Sequence, residues 1–121
     1  MKFCWVTINV KNMEESLSFY QNIVGLEIRR RMKPMGSTEI VFVGSGDTEI
    51  ELIRNEKNTA CSYGNDISLG FKVESLDKTI EFLMEKKIPI HAGPFQPNPT
   101  IKFLYVLDPN GLRIQFVEDI H

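Results

Sequence analysis

Long apolar runs, histidine and cysteine are all scarce in this chain of 121 residues. No stretch of about 18 apolar residues is present, so no helix is expected to span a bilayer. The two cysteines, Cys4 and Cys61, make no disulfide framework, and a reduced cytoplasmic setting fits best. The two histidines are His91, read as a partly exposed structural residue, and His121, the last residue, read as frayed. A net charge of −2 offers no general attraction for nucleic acid or for anionic membranes, and no basic patch interleaved with aromatics is present. The pair Gly44 and Gly46 precedes no helix and so makes no phosphate loop. Met1 to Trp5 lead straight into a strand, and no signal peptide is expected.

What is present is an ordinary globular composition, 42% hydrophobic and 25% charged. A chain of this length is expected to form one domain and to bury roughly two-thirds of the surface that its unfolded form exposes. It also says the same thing twice. A shift of 63 residues superposes Val10 on Val73, Met13 on Leu76, Ser16 on Thr79, Leu17 on Ile80 and Phe19 on Phe82. Each copy reads as strand, polar turn and amphipathic helix, and a later hairpin closes it at Glu51 and at Gln115. In the first copy, residues 3–10 read as a strand and Asn12 as a helix cap. The stripe Met13, Leu17, Tyr20, Val24 gives a helix that Gly25 ends. Residues 26–33, 39–44 and 47–54 read as three further strands, the last two joined by a Ser45-Gly46 turn. In the second copy the helix spans about 76–87, ahead of Pro89, and a strand starts at 88–91. Residues 92–99, with three prolines, read as an ordered turn or a lid loop. Strands at 101–107 and 112–118 flank the turn Asp108-Pro109-Asn110-Gly111. The expected architecture is α+β: two βαβββ modules, about 1–54 and 67–121, with a polar linker about 55–66. The mixed eight-stranded sheet would cup a cavity, with the helices outside.

Two motifs carry a resemblance. One is Val10-Lys11-Asn12-Met13 with Ser16, Phe19, Tyr20, Gly25 and Leu26; the other is Asp108-Pro109-Asn110-Gly111 with Ile114 and Phe116. On the two-copy frame they resemble the vicinal oxygen chelate superfamily, which contains glyoxalases, bleomycin resistance proteins and extradiol dioxygenases. The resemblance covers essentially the whole chain. It places the four metal ligands of the glyoxalase-like enzymes, typically His and Glu from each copy, at Trp5, Glu51, Ser68 and Gln115. Only Glu51 keeps its type. Indole has no in-plane lone pair, and serine and neutral glutamine are weak ligands. The expectation is therefore no metal and no cofactor.

Strand alternation groups Trp5 with Thr7 and Asn9, Glu51 with Glu49 and Ile53, Gln115 with Arg113 and Val117, and Ser68 with Gly70 and Lys72. Trp5 has two readings, a stacking surface for a planar ligand and a filler of a core gap. Glu51 is either a ligand contact or catalytic base, or the partner of an arginine. Gln115 suits a polar ligand and equally a structural hydrogen bond. Ser68 lacks the neighbouring base that a nucleophile needs. Arg30 is read as part of a solvated edge, with an anionic substrate as the alternative. Tyr105, Phe103, Phe42 and Phe95 are core residues by default and cavity walls otherwise. The expected ligand-binding set is Trp5, Thr7, Glu49, Glu51, Ser68, Arg113, Gln115 and Tyr105, with Glu51 as the catalytic candidate. Three functions follow: a metal-free small-molecule binder like the bleomycin resistance branch, which is favoured over an enzyme; a glyoxalase-like lyase working through Glu51; and a dimeric accessory module without a ligand. A homodimer is expected, and no nucleic-acid or membrane partner.

Overall fold

In the computed structural model of the chain, residues 1–34, 36–57 and 60–120 are described; His121 lies outside them. The chain divides into two compact units, Met1–Ser62 and Tyr63–His121. The division falls inside the expected linker. Among the described residues no helix is long and apolar enough to cross a membrane.

The first unit runs β1 (Trp5–Asn9), α1 (Met13–Ser18) continued by a π-helical turn (Phe19–Ile23), β2 (Glu27–Met32), β3 (Thr38–Gly44) and β4 (Glu49–Asn55). Its sheet order is β1-β4-β3-β2, with β1 parallel to β4 and the other pairs antiparallel. Asn12 starts the helix as expected: its backbone is extended, and its side chain accepts the Glu15 N–H at 3.0 Å. Glu14 and Glu15 add negative charge where the helix dipole favours it. The uniform helical stripe that was expected gives way at Phe19. There Val24 N–H donates to the carbonyl of Phe19, five residues back, at 3.1 Å. The wider turn lets the adjacent Phe19 and Tyr20 both go into the core, where their rings meet edge to face at 5.2 Å. Gly25, at φ +87°, then ends it. The core lies between helix and sheet: Met13, Leu17 and Tyr20 pack with Ile8, Val41, Val43, Ile50 and Leu52. Alternate residues of the same strands fall on the other face of the sheet.

The second unit repeats the plan with β5 (Ser68–Lys72), α2 (Leu76–Glu85), β6 (Ala92–Asn98), β7 (Ile101–Leu107) and β8 (Arg113–Asp119) in the order β5-β8-β7-β6. Ser75 caps α2 by accepting from Lys78 N–H, and the Glu118 carboxylate accepts the Leu76 N–H at 2.7 Å. The helix stops two residues short of its expected end. Lys87 adopts φ +60°, and Lys87 and Ile88 N–H close back on the carbonyls of Met84 and Leu83. The stop thus precedes Pro89. Leu76 and Leu83 pack with Leu104, Val106, Ile114 and Phe116.

Residues 92–98, expected as a turn or lid loop, form the edge strand β6 instead. An edge needs only part of its N–H groups for pairing, so Pro94 and Pro97 are tolerated there. Register partners are Ala92 with Tyr105, Phe95 with Phe103 and Asn98 with Ile101. Each interval holds one more residue on β6 than on β7, so bulges absorb the misfit. The Asp108 turn forms as expected. The Asp108 carboxylate, 4% exposed, accepts the N–H groups of Asn110 and Leu112 at 2.8 and 2.9 Å. The eight strands among the described residues are thus hydrogen-bonded as two four-stranded mixed sheets, one per repeat.

Candidate functional site

In the first unit the face of the sheet opposite α1 carries the expected residues together. Register sets Trp5 opposite Glu49, Thr7 opposite Glu51, Phe42 opposite Glu51 and Arg30 opposite Phe42. A row Thr7–Glu51–Phe42–Arg30 therefore crosses all four strands, with Trp5 and Glu49 beside it. The Thr7 hydroxyl donates to Glu51 Oε1 at 2.6 Å. The indole of Trp5 stands edge-on to the Phe42 ring at 5.2 Å and 74°. The Arg30 guanidinium lies 3.9 Å over the centre of the same ring and pairs with Glu49 at 3.4 Å. With the Arg30 side chain 47% exposed and Glu49 16%, the ion pair is a modest contributor, under about 1 kcal/mol. The arginine thus pairs with Glu49, while Glu51 is held by a hydroxyl.

The second unit brings Ser68, Arg113, Gln115 and Tyr105 onto the equivalent face. Ser68 is opposite Arg113, Gly70 opposite Gln115, and Tyr105 opposite Gln115. This register repeats that of Trp5, Thr7, Phe42 and Glu51, so Tyr105 stands where the first unit has Phe42. The Gln115 amide donates to the Tyr105 hydroxyl at 3.3 Å, and the Arg113 guanidinium lies 5.3 Å from the Tyr105 ring centre. Phe103 and Phe95 continue the aromatic row at 5.9 and 5.5 Å. His91 is exposed ahead of β6 and takes no part in the row.

Sequence reasoning ranked two contributors low and passed over a third. Arg30 was read first as a solvated edge, with an anionic substrate as the alternative, and Phe42 first as core, with a cavity wall as the alternative. The third is Gly70. A Cβ there would stand 3.2 Å from Gln115 Oε1, so the missing side chain gives the carboxamide its place. Gly70→Val is expected to displace Gln115 and break its bond to Tyr105 while the protein stays folded. Loss of the nuclear Overhauser contacts between the Gln115 amide and the Tyr105 ring checks it; their retention refutes the placement.

The four residues that the resemblance assigns to a divalent ion are poor ligands for one. Trp5 presents an N–H donor only, Ser68 and neutral Gln115 are weak ligands, and Glu51 is the one carboxylate among them. Among the described residues no three His, Cys, Asp or Glu side chains come together in a way that could hold a metal.

The pattern of the Glyoxalase/Bleomycin resistance protein/Dioxygenase superfamily matches residues 2–116. A lactoylglutathione lyase of Neisseria meningitidis is 31% identical over 98% of this chain and 91% of its own length. Among solved structures, a glyoxalase family protein from Bacillus cereus superposes with a TM-score of 0.85 at 18% identity, covering 100% of this chain and 95% of its own. An antibiotic-binding protein from a Streptomyces strain superposes with a TM-score of 0.78 at 19% identity, covering 98% and 96%. Repeat, fold and sequence agree: the chain belongs to the glyoxalase/bleomycin resistance protein/dioxygenase superfamily.

Proposed function

We propose that this protein binds a small planar organic molecule without a metal ion. The observation that carries the reading is the Trp5–Phe42–Arg30 cluster around Glu51, which occupies the face where the resemblance puts metal ligands. Such a face offers flat apolar surface with a few placed polar groups, the usual make-up of a small-molecule site. Glu51 supplies the hydrogen bond and Trp5 the stacking surface. The same fold serves antibiotic binding in the Streptomyces relative. Trp5 is the single tryptophan, so its fluorescence tests the reading directly. A library of planar antibiotics and metabolites should contain compounds that quench it saturably.

A second reading is favoured by the 31% identity to a lactoylglutathione lyase and by the retained Glu51. In it, Glu51 acts as a base. A lyase of this kind would show lactoylglutathione lyase turnover without added divalent ion, lost in Glu51→Gln; the binding reading expects no turnover.

We also propose a homodimer. β1 and β5 are the outer strands of their sheets, and large apolar side chains stand exposed at their starts, Phe3 at 68% and Ile67 at 57%. Pairing with a second copy would cover unpaired strand edges and these side chains together. Light scattering at micromolar concentration is expected to give twice the chain mass, and a stable monomer would refute it.

A further inference from the structure

Arg30, Glu49 and Glu51 share one face of the first unit's sheet, and only the first two neutralise each other. Arg30 pairs with Glu49 at 3.4 Å. Among the described residues no cation pairs with Glu51. Its Oε1 accepts the Thr7 hydroxyl at 2.6 Å. Its Oε2 has no partner among the described residues and is not buried. The half-buried side chain thus ends in one engaged oxygen and one open oxygen, on the face that also carries the Trp5 ring.

The two sides of Glu51 offer it different partners. Thr7 is its register partner on β1. On the other side its register partner is Phe42 of β3, with Arg30 of β2 next beyond and its guanidinium over the Phe42 ring. A glutamate side chain turns about three bonds, and an unheld Glu51 would compete with Glu49 for that cation. Threonine is stiff at χ1, and its single O–H is committed to Oε1 in a short, charge-assisted bond. Thr7 therefore holds the carboxylate on the side away from Arg30 and leaves Oε2 as an acceptor. A planar ligand lying on Trp5 takes water from that oxygen, and an acceptor stripped of water needs a donor in its place. We propose that Thr7 is a positioning residue, which holds Glu51 as the acceptor for an N–H donor on the edge of the planar ligand. The ligand class is a flat molecule with an amidine or amino-heteroaromatic edge; a carbonyl or carboxylate edge would set lone pairs against lone pairs. This inference rests on the proposed binding of a planar organic molecule and adds the group that the ligand turns to the sheet.

The test uses three probes of similar shape on the full chain: 2-naphthamidine, 2-naphthamide and methyl 2-naphthoate, of which the ester has no N–H. Calorimetry is expected to show the amidine binding at least about 10-fold tighter than the ester, as one charge-assisted hydrogen bond implies, with the amide between them. Thr7→Val removes the hydroxyl at nearly constant shape and should cut that ratio to below about threefold. Thr7→Ser keeps the hydroxyl and should keep most of the ratio. A sheet merely loosened by substitution would weaken all three probes together and leave the ratio as it was. Glu51→Gln should also remove the preference, and adding Thr7→Val to it should change the ratio no further, because Thr7 acts through Glu51. Equal affinities, tighter binding of the ester, a ratio that survives in Thr7→Val, or one lost as fully in Thr7→Ser would overturn the inference and leave the binding reading standing. The same holds if none of the three binds while other planar compounds quench Trp5. If Trp5 emission is unmoved across the whole library as well, both fall.

Discussion

Trp5→Ala is expected to weaken the binding of a planar ligand by about 10- to 100-fold in calorimetric titration, the loss that follows when one aromatic contact surface is removed. Trp5 touches Phe42 by an edge and remains 41% exposed, so much of its ring is still free for contact. A tryptophan that merely filled a core gap would be buried. Its neighbours reinforce the point. Arg30 covers one face of Phe42, Glu51 is fixed by Thr7, and the indole is the large apolar surface beside both. Trp5→Phe should keep part of the contact and lose only several-fold. Both variants should stay folded, because the Phe42 edge contact is worth about 1 kcal/mol. If either variant binds every compound as the native protein does, Trp5 is not part of the site. Native Trp5 emission of a fully solvated indole that no compound perturbs would lead to the same conclusion.

How much of this was legible in the sequence depended on the kind of signal. The 63-residue offset between Val10 and Val73 fixed strand parity in both repeats. Parity grouped Trp5 with Thr7, Glu51 with Glu49, Ser68 with Gly70 and Gln115 with Arg113, strand by strand; only the resemblance joined the strands, and the registers set Thr7 opposite Glu51 and Ser68 opposite Arg113. Caps and turns with their own chemistry, Asn12 and Asp108-Pro109-Asn110-Gly111, were equally readable. What failed were features set by context. The prolines of 92–99 signalled a loop because a central strand excludes them, yet at a bulged edge they do no harm. The helix stop at Lys87 puts a side-chain residue at positive φ, where sequence rules look for glycine. Arg30 was hidden by its neighbours and by a register shift between Ile28 and Arg30, which breaks simple alternation at that point. Gly70 was silent because its contribution is the atom it lacks.

Native protein purified without added metal or chelator is expected to contain far less than one zinc, nickel, iron or manganese ion per chain, and Glu51→Ala should leave that content unchanged. A single carboxylate cannot compete for such ions, since catalytic zinc sites use at least three strong protein ligands. About one ion per chain that disappears in Glu51→Ala would overturn the metal-free reading. The reciprocal change has the larger effect. Trp5→His, Ser68→His and Gln115→Glu, combined with the native Glu51, restore the two imidazoles and two carboxylates that the resemblance assigns to one ion. In each sheet the new histidine stands on the same face as the carboxylate position, on the adjacent parallel strand. The triple variant should bind zinc at least about 1000-fold more tightly than the native chain, about 4 kcal/mol, which is a small part of what structural zinc contributes. Binding should release protons below neutral pH, because imidazole must be neutral to coordinate. A triple variant that folds, as its circular dichroism would show, but gains no zinc affinity would mean that Trp5, Ser68 and Gln115 are not the lost ligand positions. The site assigned to Trp5 and Glu51 would then need another explanation than a metal centre rebuilt for an organic ligand.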